Sequence, residues 1–260
     1  MERLYQISHE ELLLLSGLLQ VPTPLALGPQ PTAGYSRAAL QIAMGAAASG
    51  LAARGFLFPP DSPGAPPTPA PGIAGSLRIL ATSEHCLVLA GGQGVRHSMS
   101  QICLLPDGKA LLLERPQPGA YRICAAHGHA AVIDHVVAAI PPAPAGPASQ
   151  LHAPPAALIA ALDAAPAGPE AAATPLQIAG VPADEAESFA HSLGCAPARH
   201  ALVALRGHDR RPARRGTLAI VGATAAWCAD DDQPQTVALR PVGPADLRAH
   251  IADLIDWIAA

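Results

Sequence analysis

The chain has 260 residues, half of them hydrophobic but only 3% aromatic, with 29 prolines, 14% charged residues and a net charge of −4. That balance argues against nucleic acid as a partner, because such binding is dominated by Lys and Arg on phosphates. It also argues against a bilayer span, since the longest apolar stretch, 38–53, carries Gln, Ser and Gly and lacks the bulk of a membrane helix.

The first residues, Met1-Glu2-Arg3-Leu4-Tyr5, do not form the basic start and apolar centre of a secretory leader, so the expected location is the cytoplasm. Ser8-His9-Glu10-Glu11 reads as a capping box, with Ser8 accepting from the amide three residues on and Glu11 reaching back. A helix through Leu12–Leu19 follows, stopped by the prolines at 22 and 24. Its Leu12, Leu15, Leu18 and Leu19 share one face. A second helix is predicted from Ser36 to Arg54, with Leu40, Ile42, Met44, Leu51 and Ala52 as its apolar positions and Gly55 as its stop.

Residues 59–75 are rich in Pro, Gly and Ala and read as a solvated loop. Strands are predicted at Leu77–Ala81 and Cys86–Ala90, with Gly91-Gly92-Gln93-Gly94 as a turn. Ser98–Leu105 and Lys109–Arg115 flank Pro106-Asp107-Gly108, a strong hairpin signal because Asp-Gly accepts the positive φ of tight turns. A strand at Gly119–Cys124 leads to a helix over Gly128–Ile140. Residues 141–175 read as a Pro/Ala-rich linker with a short helix at Ala156–Leu162. An amphipathic helix over Pro182–Leu193 follows, with Asp184, Glu185 and Glu187 near its positive end. Strands at His200–Arg206, Thr217–Val221, Ala225–Ala229 and Thr236–Arg240 precede a last helix from Pro244 to Ile258.

These elements describe an α+β fold in which an antiparallel β-meander followed by a helix occurs twice, after an N-terminal helical pair. The domain reading is residues 1–140 for the helical pair and first strand-rich half, 141–175 for the linker, and 176–260 for the second half. In the first half, Ser100–Leu105, Ala110–Leu113, Tyr121–Ile123 and the helix of Val132–Ile140 follow one another. In the second, Gly216–Val221, Ala225–Cys228, Thr236–Leu239 and the helix of Ile251–Ile258 keep that order. A pseudo-twofold molecule is the expectation.

Five cysteines, Cys86, Cys103, Cys124, Cys195 and Cys228, form no CxxC pair; reduced thiols acting as small hydrophobes fit best. Cys124, His127, His129 and His135 are the best metal candidates, weighed against a buried thiol beside an ordinary loop, because zinc needs four converging ligands. Gly91–Gly94 could cradle a phosphate only before a helix N-terminus, and a strand follows. Asp230-Asp231-Asp232 lacks the pattern of an EF-hand and reads as a solvated turn. His208-Asp209-Arg210-Arg211 with Arg214-Arg215 is the one basic cluster, a loop with exposed charge or else a partner contact. No pattern names a catalytic, cofactor-binding or metal-binding residue.

Three phrases resemble the EspG family, the cytosolic chaperones of ESX (type VII) secretion. They are Ser8-His9-Glu10-Glu11-Leu12, the segment Ala47–Leu57, and Arg215–Val221 with Ala238–Gly243 and the last helix. The Val221-Gly222-Ala223-Thr224-Ala225 turn departs from the acidic residue and Gly-Arg pair usual there, and the Pro-rich stretches 59–75 and 141–155 are atypical. The resemblance implies a quasi-twofold α+β fold and a non-enzymatic role, binding a helical secretion substrate and keeping its apolar tip soluble. It carries no partner-binding residue over. Two other functions compete with this one: a winged-helix-like DNA-binding regulator, suggested by two helices followed by Gly55-Phe56-Leu57, and a metal-dependent enzyme using His127 and His129.

Overall fold

The computed structural model describes residues 2–25, 34–93, 96–144, 149–207, 213–230 and 235–260. Gly94, His208–Arg211 and Asp231-Asp232 lie outside the described residues. The chain divides into two compact units, one of Met1–Val88 with Ser98–Gly128, the other of Leu89–His97 with His129–Ala260.

In the first unit, β1 (Glu2–Ser8) runs into α1 (His9–Leu19), and α2 (Arg37–Ala53) follows. The capping box forms as expected. Ser8 Oγ accepts from the Glu11 amide at 3.2 Å, and Glu11 Oε2 accepts from the Ser8 amide at 2.8 Å. Glu11 also pairs with Arg54, whose Nη1 donates to the Gln6 carbonyl at 2.7 Å, so one carboxylate ties β1, α1 and the end of α2 together. On α2 only Ala47 and Leu51 are buried. Leu40 and Ile42, in the first half of the helix, stand 38% and 75% exposed, while both buried positions lie in its second half.

Strands β2 (Leu57–Phe58) and β3 (Thr68–Pro69) make a small separate ribbon, and α3 (Pro71–Thr82) begins straight after it. Two expectations fail here. The loop expected over 59–75 extends only through 59–67, with β3 and the start of α3 following, and Leu77–Ala81 is helical rather than extended. The apolar residues Ile73, Ala74, Leu77 and Leu80 repeat at helical spacing, and Pro71 sets the first-turn φ. Reading 77–81 alone hides that period. The sheet strands are β4 (His85–Gln93), β5 (Arg96–Leu104), β6 (Lys109–Gln117) and β7 (Ala120–His127), in the order β1-β7-β6-β5-β4. Gly91, Gly92 and Gln93, expected in a turn, continue β4 instead. The core gathers Ile7, Leu12, Leu15, Leu51, Ile73, Leu77, Tyr121 and Ile123.

The second unit contains the end of β4 and then α4 (His129–Ala139), which packs against α8 (Pro244–Ala259). Residues read as a linker hold β8 (Leu151–Ala153), α5 (Pro155–Ala164), a 3-10 turn (Ala165–Ala167) and α6 (Pro169–Ile178). Prolines stand in the first turn of α5 and α6, where the missing N–H costs nothing. Alanines at 161, 172 and 173 are buried and let these helices approach closely. After α7 (Ala183–Leu193) come β9 (Ala198–Arg206), β10 (Ala213–Val221), β11 (Ala226–Asp230) and β12 (Val237–Pro241), in the sheet order β4-β9-β10-β11-β12-β8. The pairs β1–β7, β7–β6, β6–β5, β9–β10, β10–β11, β11–β12 and β12–β8 are antiparallel, as a meander requires.

Trp227 centres this second core. Its ring meets Phe189 edge-on at 4.9 Å between centroids, and its Nε1 donates to the Ser149 carbonyl at 3.3 Å. The Val221–Ala225 turn, where the sequence departs from the EspG pattern, seats on the end of α7. The Ala223 and Thr224 amides donate to the Leu193 and Ser192 carbonyls, and a Cβ on Gly222 would stand 2.8 Å from Leu193 Cα.

Candidate functional site

Strand β9 decides where the second unit has an open surface. Its residues alternate, with Ala198, His200, Leu202 and Ala204 buried while Arg199, Ala201, Val203 and Leu205 are less covered. The less covered face looks into a groove of about 750 Å3. Ala90, Gly91 and Gly92 of β4 line it, together with Ala201 and its β10 register partner Leu218. Leu162 and Asp163 of α5 and Pro166 form one side, and Cys195, Ala196 and Pro197 approach from the α7–β9 connection.

Two polar contacts brace this groove. Arg199 Nη1 donates to Asp163 Oδ1 at 2.7 Å, with both side chains partly exposed, so the pair holds α5 against β9 at little gain in stability. Gln93 Nε2 donates to the Ala196 carbonyl at 2.8 Å, fixing the connection to the end of β4. The floor is glycine and alanine, so backbone and methyl groups are what an incoming surface would meet. Such a floor suits close approach by an apolar helix or loop, and His97, Asp163, Cys195 and Arg199 are the polar members of the lining.

The sequence-predicted site residues lie elsewhere. His127 is exposed at the end of β7, in register with Lys109. His129 opens α4, with Nδ1 3.8 Å from Asp256 Oδ1. Cys124 Sγ donates to Glu114 Oε2 at 3.8 Å, and burial, with the Glu114 charge, pushes its thiol pKa up, away from the thiolate a metal needs. Among the described residues, no three His, Cys, Asp or Glu side chains gather where they could hold a metal ion. Gly91 and Gly92, weighed as a phosphate cradle or a turn, prove to be strand residues at the groove. Of the basic cluster, Arg215 Nη2 pairs with Asp253 Oδ2 at 2.7 Å. The second helix, which a DNA-reading module would present, carries Arg37 as its single cation. No helix among the described residues is long and apolar enough to cross a membrane.

A family model, that of the EspG family, matches residues 8–253. The chain belongs to the EspG family. Among solved structures, it resembles the type VII secretion system chaperone EspG5 of Mycobacterium tuberculosis, determined in complex with a PE25–PPE41 dimer. That match has a TM-score of 0.62 at 11% identity and covers 97% of this chain and 95% of that one. At that identity the likeness is one of fold. The structure of HtdX from the same organism aligns at a TM-score of 0.15, 13% identity and 92% and 97% coverage, and carries no argument. No curated protein matches in sequence.

Within the EspG family assignment, the groove is the feature that motif reading passed over. Most of its residues are Gly, Ala, Pro and Leu, which carry no chemical signature, and His97, Asp163, Cys195 and Arg199 are spread along the sequence. The signal available was Gly91-Gly92 at the end of an apolar run, since glycine inside a strand often marks a close approach of another backbone.

Proposed function

We propose that this EspG-family protein is a non-enzymatic cytoplasmic chaperone whose groove at β4, β9, β10 and α5 receives the apolar tip of a helical secretion substrate. The observation that carries the reading is the groove itself: a sheet face floored by Ala90, Gly91, Gly92 and Ala201, flanked by Leu162 and Pro166 and open to an entering element. An apolar surface of this kind, rimmed by the Arg199–Asp163 pair, suits a partner that would otherwise expose apolar residues to water. The relative EspG5, solved in complex with PE25–PPE41, supplies the partner class by analogy. We also read the two strand-rich halves, 1–140 and 176–260, as copies of one meander-and-helix unit. The order β4-β5-β6-β7-α4 and the order β9-β10-β11-β12-α8 support that reading.

The test is affinity capture of the tagged full chain from its native host, followed by reconstitution with the recovered protein. Recovery of a small helical protein or protein pair that co-elutes with the chain at a fixed ratio is the expected result. Recovery of general folding chaperones alone would overturn the proposal.

A further inference from the structure

Two thiols in the first unit face one another inside the core. Cys86 on β4 and Cys103 on the neighbouring strand β5 are free cysteines, 2% and 0% exposed, with their Sγ atoms 3.0 Å apart. Gln101, itself buried, sets their surroundings. Its Nε2 donates to the Leu80 carbonyl at 2.6 Å and lies 3.4 Å from Cys103 Sγ and 3.8 Å from Cys86 Sγ. Cys86 Sγ also lies 3.5 Å from the Ser83 carbonyl, at the turn from α3 into β4. An amide held beside two sulfurs offers an N–H to whichever of them carries negative charge.

We infer that Cys86 and Cys103 are a reversible oxidation site, converted by peroxide to a disulfide that joins β4 to β5. From 3.0 Å the sulfurs need to approach by about 1 Å to reach the roughly 2.05 Å of an S–S bond, a shift within reach of side-chain torsions. The chemistry divides between the two thiols. The hydrogen bond from Cys103 lowers the Cys86 pKa to about 7, and that same contact together with burial pushes Cys103 upward. Cys86 is therefore the attacking thiolate and Cys103 the resolving thiol. The Cys86 sulfur takes one oxygen from hydrogen peroxide, the O–O bond breaks, and the departing hydroxide is protonated to water. Cys103 then attacks the sulfenic sulfur, the S–O bond breaks, and the second hydroxide leaves with the Cys103 proton as water. Two thiols and one peroxide give one disulfide and two waters. An external dithiol reverses the reaction by exchange. Cys195, on the exposed α7–β9 connection of the other unit, has no part in this pair.

The experiment uses the full-length Cys195→Ser protein, treated with hydrogen peroxide under native conditions, then alkylated, digested and mass-mapped. The expected result is loss of two thiol equivalents and about 2 Da, for two hydrogens removed, with a Cys86–Cys103 crosslinked peptide that dithiothreitol releases. In a Cys103→Ser variant, whose hydroxyl can still donate to Cys86 Sγ but cannot form the disulfide, Cys86 is expected to be trapped as a sulfenic acid that dimedone labels, whereas the Cys86→Ala variant should take up no dimedone at Cys103. Retention of all four thiols under native conditions would overturn the inference. So would oxygen addition at either cysteine without a crosslink, or a crosslink that appears only after denaturation. The Cys103→Ser result keeps the test decisive if Cys86→Ala folds poorly.

Discussion

Gly91 lies against His200 so closely that a Cβ on the glycine would stand 2.7 Å from the histidine's Cα and would overlap the Arg199 carbonyl oxygen. His200 Nδ1 would also be struck, but the other two atoms are backbone, so no rotamer change relieves the whole contact, and β4 and β9 would have to separate. Gly91→Ala is therefore expected to lower stability by about 1–3 kcal/mol, the usual cost of overpacking, seen as a lower urea midpoint with an unchanged slope. A variant as stable as the parent would show that the strands can part without loss.

His200 makes its own prediction. It is 2% exposed with neither ring nitrogen hydrogen-bonded, and burial holds its pKa below the ordinary 6.5. A lowered folded pKa means that the unfolded chain binds the proton first, so stability is complete above the unfolded value and falls as pH drops through it. The slope from this one group is at most about 1.4 kcal/mol per pH unit. His9, buried with its pKa also lowered chiefly by desolvation, acts in the same direction. Denaturation midpoints are expected to fall between pH 7.5 and 5.5, and His200→Leu to flatten that fall. An equal fall in the variant would place the effect elsewhere.

The start of α1 can be tested by removing one side of its cap. Ser8→Ala leaves the Glu11 amide without its acceptor and should cost about 1 kcal/mol. Glu11→Gln is expected to cost more, because the charged pair with Arg54 goes with it, leaving the guanidinium its bonds to the Gln6 and Gly50 carbonyls. Chemical denaturation of both single variants and the double variant checks the ranking, and their effects should be non-additive because both side chains belong to one reciprocal capping box.

Ala201→Arg fills the groove with a charged side chain from an exposed strand position. Stability is expected to change by no more than about 0.5 kcal/mol, as for surface substitutions elsewhere, while co-elution of the captured partner falls at least tenfold. Ile178→Ser, at an 82% exposed position on α6 that does not line the groove, should leave partner binding unchanged. Loss of binding in both variants, or in neither, would move the partner's seat away from β4, β9 and β10.

What the sequence determined by itself is the local order of the chain. The capping box at Ser8 and Glu11, the Asp107-Gly108 turn and the strand–strand–strand–helix runs are written in near neighbours, where a hydrogen bond or a φ preference acts within a few residues. The fold class follows from that order, and the family from the match over residues 8–253. Residues 71–82 show where the reading fails, because their helical period appears only over the whole element and the Pro-rich lead-in masks it. The rest depended on tertiary structure. Leu40 and Ile42 stand exposed although they share the apolar character of the buried Leu51 on the same helix. Cys86 and Cys103 meet because their strands are neighbours in the sheet. Gly91 and Gly92 became part of a groove only when β4 was found beside β9, since a glycine floor has no chemistry of its own and gains its meaning from the backbone that approaches it.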